Sequence, residues 1–268
     1  MAVITLTSDF GWQDGYVAAM KGVILSICPA AVLVDVAHDV PPQDVRHAGF
    51  VLHTAAQTFP PGTVHLAVVD PGVGTERRAV AVQTERAVFV APDNGLLSLA
   101  LAGAGDFKAV HISNPSYHRR PVSTTFHGRD IFAPAAAYLA NGVPLGAFGP
   151  EVRDLVRFAV PGPVAAEKGG ITGEAIHIDR FGNVITNVRV EHGQWDRFAG
   201  LKVGRRKVDR MCNAYGEAAP GELIVLIGSS GYLEVAQRDG NAARRLGAEP
   251  GTAVRIMFRE PDTRPPHL

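Results

Sequence analysis

Apolar and β-branched residues cluster at positions 3–7 and then break at Ser8-Asp9-Phe10-Gly11, which predicts a buried strand entering a loop. Helical spacing takes over from about residue 15 to residue 27, and Pro29 stops it. Residues 31–36 predict a second strand, followed by His38-Asp39 and the Pro41-Pro42 break, where a structural loop role is expected for the histidine. From Asp44 onward, Val45, Ala48, Leu52, Ala55 and Phe59 fall on one helical face. A third strand is predicted over 63–69. Strands over 80–83 and 87–91 flank Thr84-Glu85-Arg86 as a tight turn. Pro92-Asp93-Asn94-Gly95 is a turn ahead of a short helix at 96–101, and 108–112 is another strand. Residues 114–123 are polar and read as loop. Residues 126–130 lead into an alanine-rich helix at 131–139, closed by Asn141-Gly142.

Strands alternating with helices predict an α/β domain over residues 1–160. Its Rossmann-like, mostly parallel sheet carries helices on both faces, and the pair at 80–91 makes the sheet mixed. Residues 161–170 are rich in Pro and Gly and predict a linker. Beyond it helical periodicity fades. Short β-rich runs at 171–178, 183–188, 201–203, 223–227, 232–235 and 253–258 predict a small antiparallel β-barrel over 171–268. Arg205-Arg206-Lys207 reads as a solvated hairpin tip.

Composition narrows the function classes. Lys+Arg and Asp+Glu are 26 each, so the chain lacks the electrostatic footprint of a nucleic-acid or anionic-membrane binder, and a small-molecule partner is expected. The opening residues run straight into a strand without a basic, then apolar, leader, and no window approaches a membrane span. A cytoplasmic protein is the expectation. Cys28 and Cys212 are far apart and read as reduced, partly buried fillers. Ten histidines invite a metal, yet no H-E-x-x-H, C-x-x-C pair or other ligand spacing occurs. Walker A, G-x-G-x-x-G after a strand and G-x-S-x-G are also missing.

Chemistry concentrates where predicted strands end. The stretch HLAVVDPGVGTERR, residues 65–78, leaves its strand at Asp70, turns on Pro71, Gly72 and Gly74, and ends in Arg77 and Arg78. In open α/β sheets, ligands sit beyond the carboxyl ends of strands, so Asp70 and Arg77 are candidates for a charge pair held on one loop. A solvated turn acid with a surface arginine fits the same letters. Asp9 is placed to grip ribose hydroxyls or to cap a helix. His127, before Gly128, could be a base or relay, or a structural imidazole. Asp130 reads as a helix-start acid. In the second domain, Asp179-Arg180-Phe181-Gly182-Asn183 offers a carboxylate for an ammonium, a ring to stack on a base and an amide to read a base edge. The same run also suits a hairpin turn. The turn Gly228-Ser229-Ser230-Gly231 offers hydroxyls and amides to a carboxylate.

Six stretches, TLTSDFGWQDGYVAAMKGVI, VVDPGVGTERRAV, APDNGLL, TFHGRDIFAPAAAYLANG, IDRFGNVITN and GSSGYLEVA, occur in that order along nearly the whole chain. Together they resemble the S-adenosyl-L-methionine (SAM) hydrolase (adenosine-forming) family, also called SAM hydroxide adenosyltransferases, hydrolytic relatives of the fluorinase and chlorinase. The resemblance implies an α/β domain followed by a β-barrel, and a homotrimer with active sites at subunit interfaces. It implies hydrolysis of SAM to adenosine and methionine by nucleophilic substitution at C5′, without metal or cofactor. It assigns the preparation of water to Asp70, Arg77 and His127, and the ribose diol to Asp9. The methionine end goes to Asp179, Ser229 and Ser230, and the surroundings of adenine to Phe181, Asn183 and the backbone from Val235 to Ala242. Asn94, Glu234 and Asn241 complete the implied substrate-binding set. The halogenases are expected to differ at the Asp70 loop and at His127-Gly128, where this sequence is of hydrolase type. A SAM-dependent halogenase and a non-catalytic adenosine or SAM sensor stay open as alternatives.

Overall fold

Period-two alternation in the N-terminal strands sorts side chains onto two covered sheet faces. The computed structural model describes residues 2–160, 162–166, 169–189, 191 and 195–260. They divide into two compact units, Met1–Val160 and Pro161–Leu268.

In the first unit the elements run β1 (Val3–Ser8), α1 (Tyr16–Ile27), β2 (Val32–Ala37), α2 (Val45–Ala56), β3 (Thr63–Val68), β4 (Ala79–Gln83), β5 (Ala87–Pro92), α3 (Ser98–Leu101), β6 (Lys108–His111) and α4 (Ala133–Ala140). The sheet order is β2-β1-β3-β5-β4-β6. Neighbours are parallel from β2 to β5, whereas β4 runs against both β5 and β6, so the sheet is mixed. Ile4, Leu6, Val64, Leu66 and Val68 pack on one face with Met20 and Ile24 of α1 and Ala133, Ala135 and Ala136 of α4. Ala67, Val69, Val80, Val82 and Phe89 point the other way, onto Ala48 and Leu52 of α2 and Leu101 of α3. All six residues of β3 are buried. α2 begins where Asp44 accepts a hydrogen bond from the His47 amide at 2.9 Å.

This topology lines up chemistry. The carboxyl ends of β2, β1, β3 and β5 deliver His38, Asp9, Asp70 and Asp93 to one edge of the sheet. β4 is antiparallel, so its amino end, just after Arg77 and Arg78, lies at that same edge.

Before α4 the chain takes a single π-helical turn, Gly128–Phe132, closed by a hydrogen bond from the Ala133 amide to the Gly128 carbonyl. The sequence predicted a plain lead into a helix. Asp130, expected to be a helix-start acid, is fully buried and accepts from Arg119, Arg129 and the Ser123 amide.

The second unit runs β7 (Val164–Ala165), β8 (Ile171–Ile178), β9 (Val184–Arg189), β10 (Phe198–Val203), β11 (Arg206–Val208), β12 (Leu223–Ile227), β13 (Tyr232–Gln237), α5 (Ala242–Leu246) and β14 (Ala253–Phe258). The strands follow one antiparallel path, β11-β10-β14-β8-β9-β13-β12. Met211, just past β11, bridges Val225 of β12 and nearly closes the path into a barrel. Three elements correct the sequence reading. β7 lies within the stretch read as linker and pairs with β8; residues 161, 167 and 168 of that stretch lie outside the described residues. Arg206 and Lys207 are strand residues paired with Val203 and Lys202, leaving only Gly204 and Arg205 as the hairpin tip. α5 was hidden by its brevity and is set by the Asn241 cap. Both cysteines are buried and free. Among the described residues no helix is long and apolar enough to cross a membrane.

One core histidine has a measurable consequence. His65 on β3 is buried, bonded to Thr5 Oγ1 at 2.8 Å and stacked on Phe89. Burial pushes its pKa from 6.5 down to about 4. The folded ring stays neutral while the unfolded chain takes a proton, so this stability is whole above pH 6.5 and is lost as pH falls towards about 4. The loss should approach ~3 kcal/mol. Urea denaturation at about pH 7 and about pH 4 checks it. His65→Asn, which keeps a polar partner for Thr5 but does not titrate, should flatten the acid loss.

Candidate active site

The β3–β4 loop leaves the sheet edge at Asp70 and returns to it at Arg77, passing over the end of β5. Arg77 Nε donates to Asp70 Oδ1 at 2.8 Å, and its Nη2 donates to Asp70 Oδ2, closing a bidentate pair. The same Nη2 donates to His127 Nδ1 at 2.8 Å. The three candidates therefore meet around one guanidinium. Its carbon lies 5.0 Å from the Phe132 ring centre, a cation–π contact that fixes the plane from one side. The Asp70 and Arg77 side chains are only 6% and 11% exposed, so the pair works largely out of water.

Two local features bring His127 in. Gly74 has φ of +78°, and a Cβ there would stand 2.6 Å from the Thr124 carbonyl oxygen. Only glycine lets the Asp70 loop press against the segment that ends in His127. The π turn then begins directly after His127. A guanidinium can only donate, so Nδ1 must accept and the neutral ring carries its proton on Nε2. Burial, reinforced by the Arg77 charge, pushes the His127 pKa down and favours that neutral form.

The other candidates at this edge divide. Asp9 Oδ2 accepts the Gln43 amide at 2.8 Å, and Gln43 holds a left-handed backbone at φ +67° to provide it. Asn94 spends its amide on the fold. Its Nδ2 donates to the Val69 carbonyl next to Asp70, and its Oδ1 accepts from the Leu96 amide. Arg78 turns away from Asp70 and pairs with Asp93 and Asp154.

In the second unit, Asp179 folds its own turn. Oδ1 accepts from the amides of Phe181 and Asn183, and Oδ2 accepts from Asn183 Nδ2. This leaves the Phe181 ring 76% exposed, a free flat surface. Gly182 has φ of +83°, and a side chain there would overlap the Asn241 amide. The Ala243 amide donates to the Gly182 carbonyl, so the structure joins the Asp179 turn to Asn241 and Ala242. Ser229 and Ser230 sit in the tight β12–β13 turn, where the Gly228 amide donates to the Tyr232 carbonyl. Val235 pairs with Val225 and Val184 on its two sides, within the sheet ladder.

Glu234 is buried and accepts from the Tyr215 hydroxyl. Burial raises its pKa and the Asp179 charge adds to this, against the hydrogen bond from Tyr215. Burial also pushes the Tyr215 phenol up, so it remains a donor. Sequence reasoning missed Tyr215, which opens a single 3-10 turn, Tyr215–Glu217, 19 residues from its partner with no motif around it. It also missed Gln43, whose only signal was its place after two prolines. Among the described residues no group of three or more His, Cys, Asp or Glu is arranged to hold a metal ion.

Comparison with known proteins places the whole chain among relatives. Residues 4–149 match the SAM hydroxide adenosyltransferase N-terminal domain, and residues 173–255 the corresponding C-terminal domain. A protein of Salinispora tropica named (R)-S-adenosyl-L-methionine hydrolase is 45% identical, the match covering 94% of this chain and 97% of the relative. One of the same name from Thermus thermophilus is 41% identical over 96% of this chain and all of its own. A fluorinase of an Actinoplanes species stands further off, 30% identical over 95% of this chain and 97% of its own. The crystal structure of an uncharacterized conserved protein from Thermotoga maritima superposes with a TM-score of 0.89 at 38% identity, covering 94% of this chain and 99% of the other. With both family domains matched in order over most of its length, the chain belongs to the SAM hydroxide adenosyltransferase family.

Proposed function

We propose that this protein is an enzyme that hydrolyses S-adenosyl-L-methionine to adenosine and L-methionine. Water attacks C5′, the C5′–S bond breaks with its electron pair going to sulfur, and the sulfonium leaves as a neutral thioether. One proton is released. The leaving group needs no proton, so the protein's task is to place and polarise the water.

The observation that carries this reading is the Arg77 guanidinium held between Asp70 and His127. Three of its five N–H groups are used on those partners, which leaves the two on Nη1. These two N–H groups are donors suited to an oxygen gaining negative charge, and His127 holds the guanidinium that carries them. Asp70 balances the guanidinium, which would otherwise repel the incoming sulfonium. With its Nδ1 lone pair already accepting from Arg77, His127 orients water rather than taking its proton, so Asp70 or solvent receives it. Asp9 would accept from the ribose diol, Asp179 and Glu234 would face the ammonium, and Phe181 would lie against adenine. The names of the relatives support SAM as substrate. The reading includes the homotrimer implied by the family.

Purified protein incubated with SAM in water enriched in heavy oxygen should release adenosine labelled at its 5′-oxygen. Absence of adenosine, or label elsewhere, would overturn the proposal. Parallel incubations with chloride or fluoride should yield no 5′-halo-5′-deoxyadenosine; its appearance would favour a halogenase.

A further inference from the structure

His38 is a buried imidazole that the proposed chemistry does not use. Its side chain is fully shielded at the end of β2, yet both ring nitrogens are engaged. Nε2 lies 2.9 Å from Asp35 Oδ1, and Nδ1 lies 2.7 Å from Ser8 Oγ. Burial would raise the Asp35 pKa, but hydrogen bonds from Lys21 and His38 prevail and hold it below the usual carboxylate value. An ionised carboxylate only accepts, so Nε2 carries the ring proton. On the other side of the ring, Nδ1 and the Ser8 hydroxyl share a hydrogen bond. The Ser8 oxygen then accepts from the Phe10 amide at 3.4 Å. Hydrogen bonds thus run without a gap from Phe10 through Ser8 and His38 to Asp35.

The chain brackets Asp9. Ser8 and Phe10 are its two neighbours, and the Gly11 amide donates to the His38 carbonyl at 2.8 Å. The strained Gln43, five residues beyond His38, supplies the amide that holds Asp9 Oδ2. An apolar side chain could fill the same volume without the desolvation cost of two buried ring nitrogens. A connected polar network at this place instead fixes backbone orientation.

We propose that His38 is a positioning residue that acts through Ser8 to aim the Asp9 carboxylate at the ribose 2′- and 3′-hydroxyls of the substrate. The proposal rests on the reading of Asp9 as the ribose-holding acid. His38 does not touch the substrate; it sets the loop that does.

Steady-state kinetics with SAM and with its analogue lacking the ribose 2′-hydroxyl test it. His38→Gln and Ser8→Ala should raise KM for SAM about tenfold, the loss of roughly one well-made hydrogen bond, with kcat little changed. Both should erase most of the preference for ribose over 2′-deoxyribose. His38→Asn, whose amide oxygen stands where Nδ1 stood, should retain most of that preference. In an Asp9→Ala background, His38→Gln should add nothing. A proportional loss on both substrates, or additive effects of the two substitutions, would overturn the proposal and leave His38 a core residue. If His38→Gln does not fold, Ser8→Ala breaks the same chain of bonds and decides the question by the same two readouts. If Asp9→Ala itself leaves the ribose preference intact, the ribose reading fails first, and the positioning role with it.

Discussion

Arg77→Met should lower kcat by about 10³-fold while KM for SAM stays within a few-fold. Among the described residues the guanidinium bonds both Asp70 and His127, and in the proposed reaction its Nη1 edge is the main donor to water. Donors of this kind act on charge that develops in the transition state, so their loss falls on the chemical step rather than on binding. Methionine keeps much of the packing against Phe132. Arg77→Lys should recover little, because one ammonium cannot bond both carboxylate oxygens and an imidazole in a single plane. Rapid-quench measurement of adenosine formation in a single turnover separates the chemical step from product release. A kcat near wild type would remove Arg77 from the mechanism. The substitution also strands the Asp70 carboxylate, 6% exposed, so a fall in melting temperature should accompany it. Asp70→Asn in the same chain should restore the stability and not the rate, which keeps the two effects apart.

The second large effect concerns stability. Asp130→Ala should cost ~3 kcal/mol, the scale of breaking a buried, hydrogen-bonded ion pair. Burial alone would raise the Asp130 pKa, but hydrogen bonds led by that from Arg129 hold it below its ordinary 3.8. Its contribution is therefore present above about pH 4 and lost as pH falls below that. Two arginines and the Ser123 amide converge on this carboxylate, so its loss also frees the segment that leads to His127. Urea unfolding should show the drop, and kcat should fall with it even though Asp130 touches none of the three clustered residues. Unfolding at the wild-type midpoint would return Asp130 to an ordinary helix-start acid.

Much of this was legible in the sequence where one physical signal dominates. β3 reads as a strand because both its faces are buried, and Asp70 and Arg77 read as partners because proline and glycines confine their loop. The meeting with His127 was not legible from spacing. It depends on a backbone contact between Gly74 and Thr124, 50 residues apart, which no periodicity encodes. Asp130 does stand in the first turn of the helical segment, but its burial was not legible, because an acid near a helix start looks the same whether solvated or buried among arginines. In the second unit, β7 spans two residues and α5 five, too short for either period to register. The Arg206–Lys207 charges masked a strand in which only Val208 turns to the core. The Asp179 turn is a self-bonded hairpin turn that leaves Phe181 exposed, and the same letters carry both readings in the sequence.

The π turn at Gly128–Phe132 bears on how the family can vary. It holds one residue more than an α-helical turn, which shifts what precedes it by about 100° around the helix axis. His127 owes its bearing on Arg77 to that single surplus residue, whereas α4 owes nothing to it. A lineage that lost one codon inside this turn would inherit an intact core and a histidine facing elsewhere. Such a descendant would keep the fold and lose the contact of His127 with Arg77 in one step.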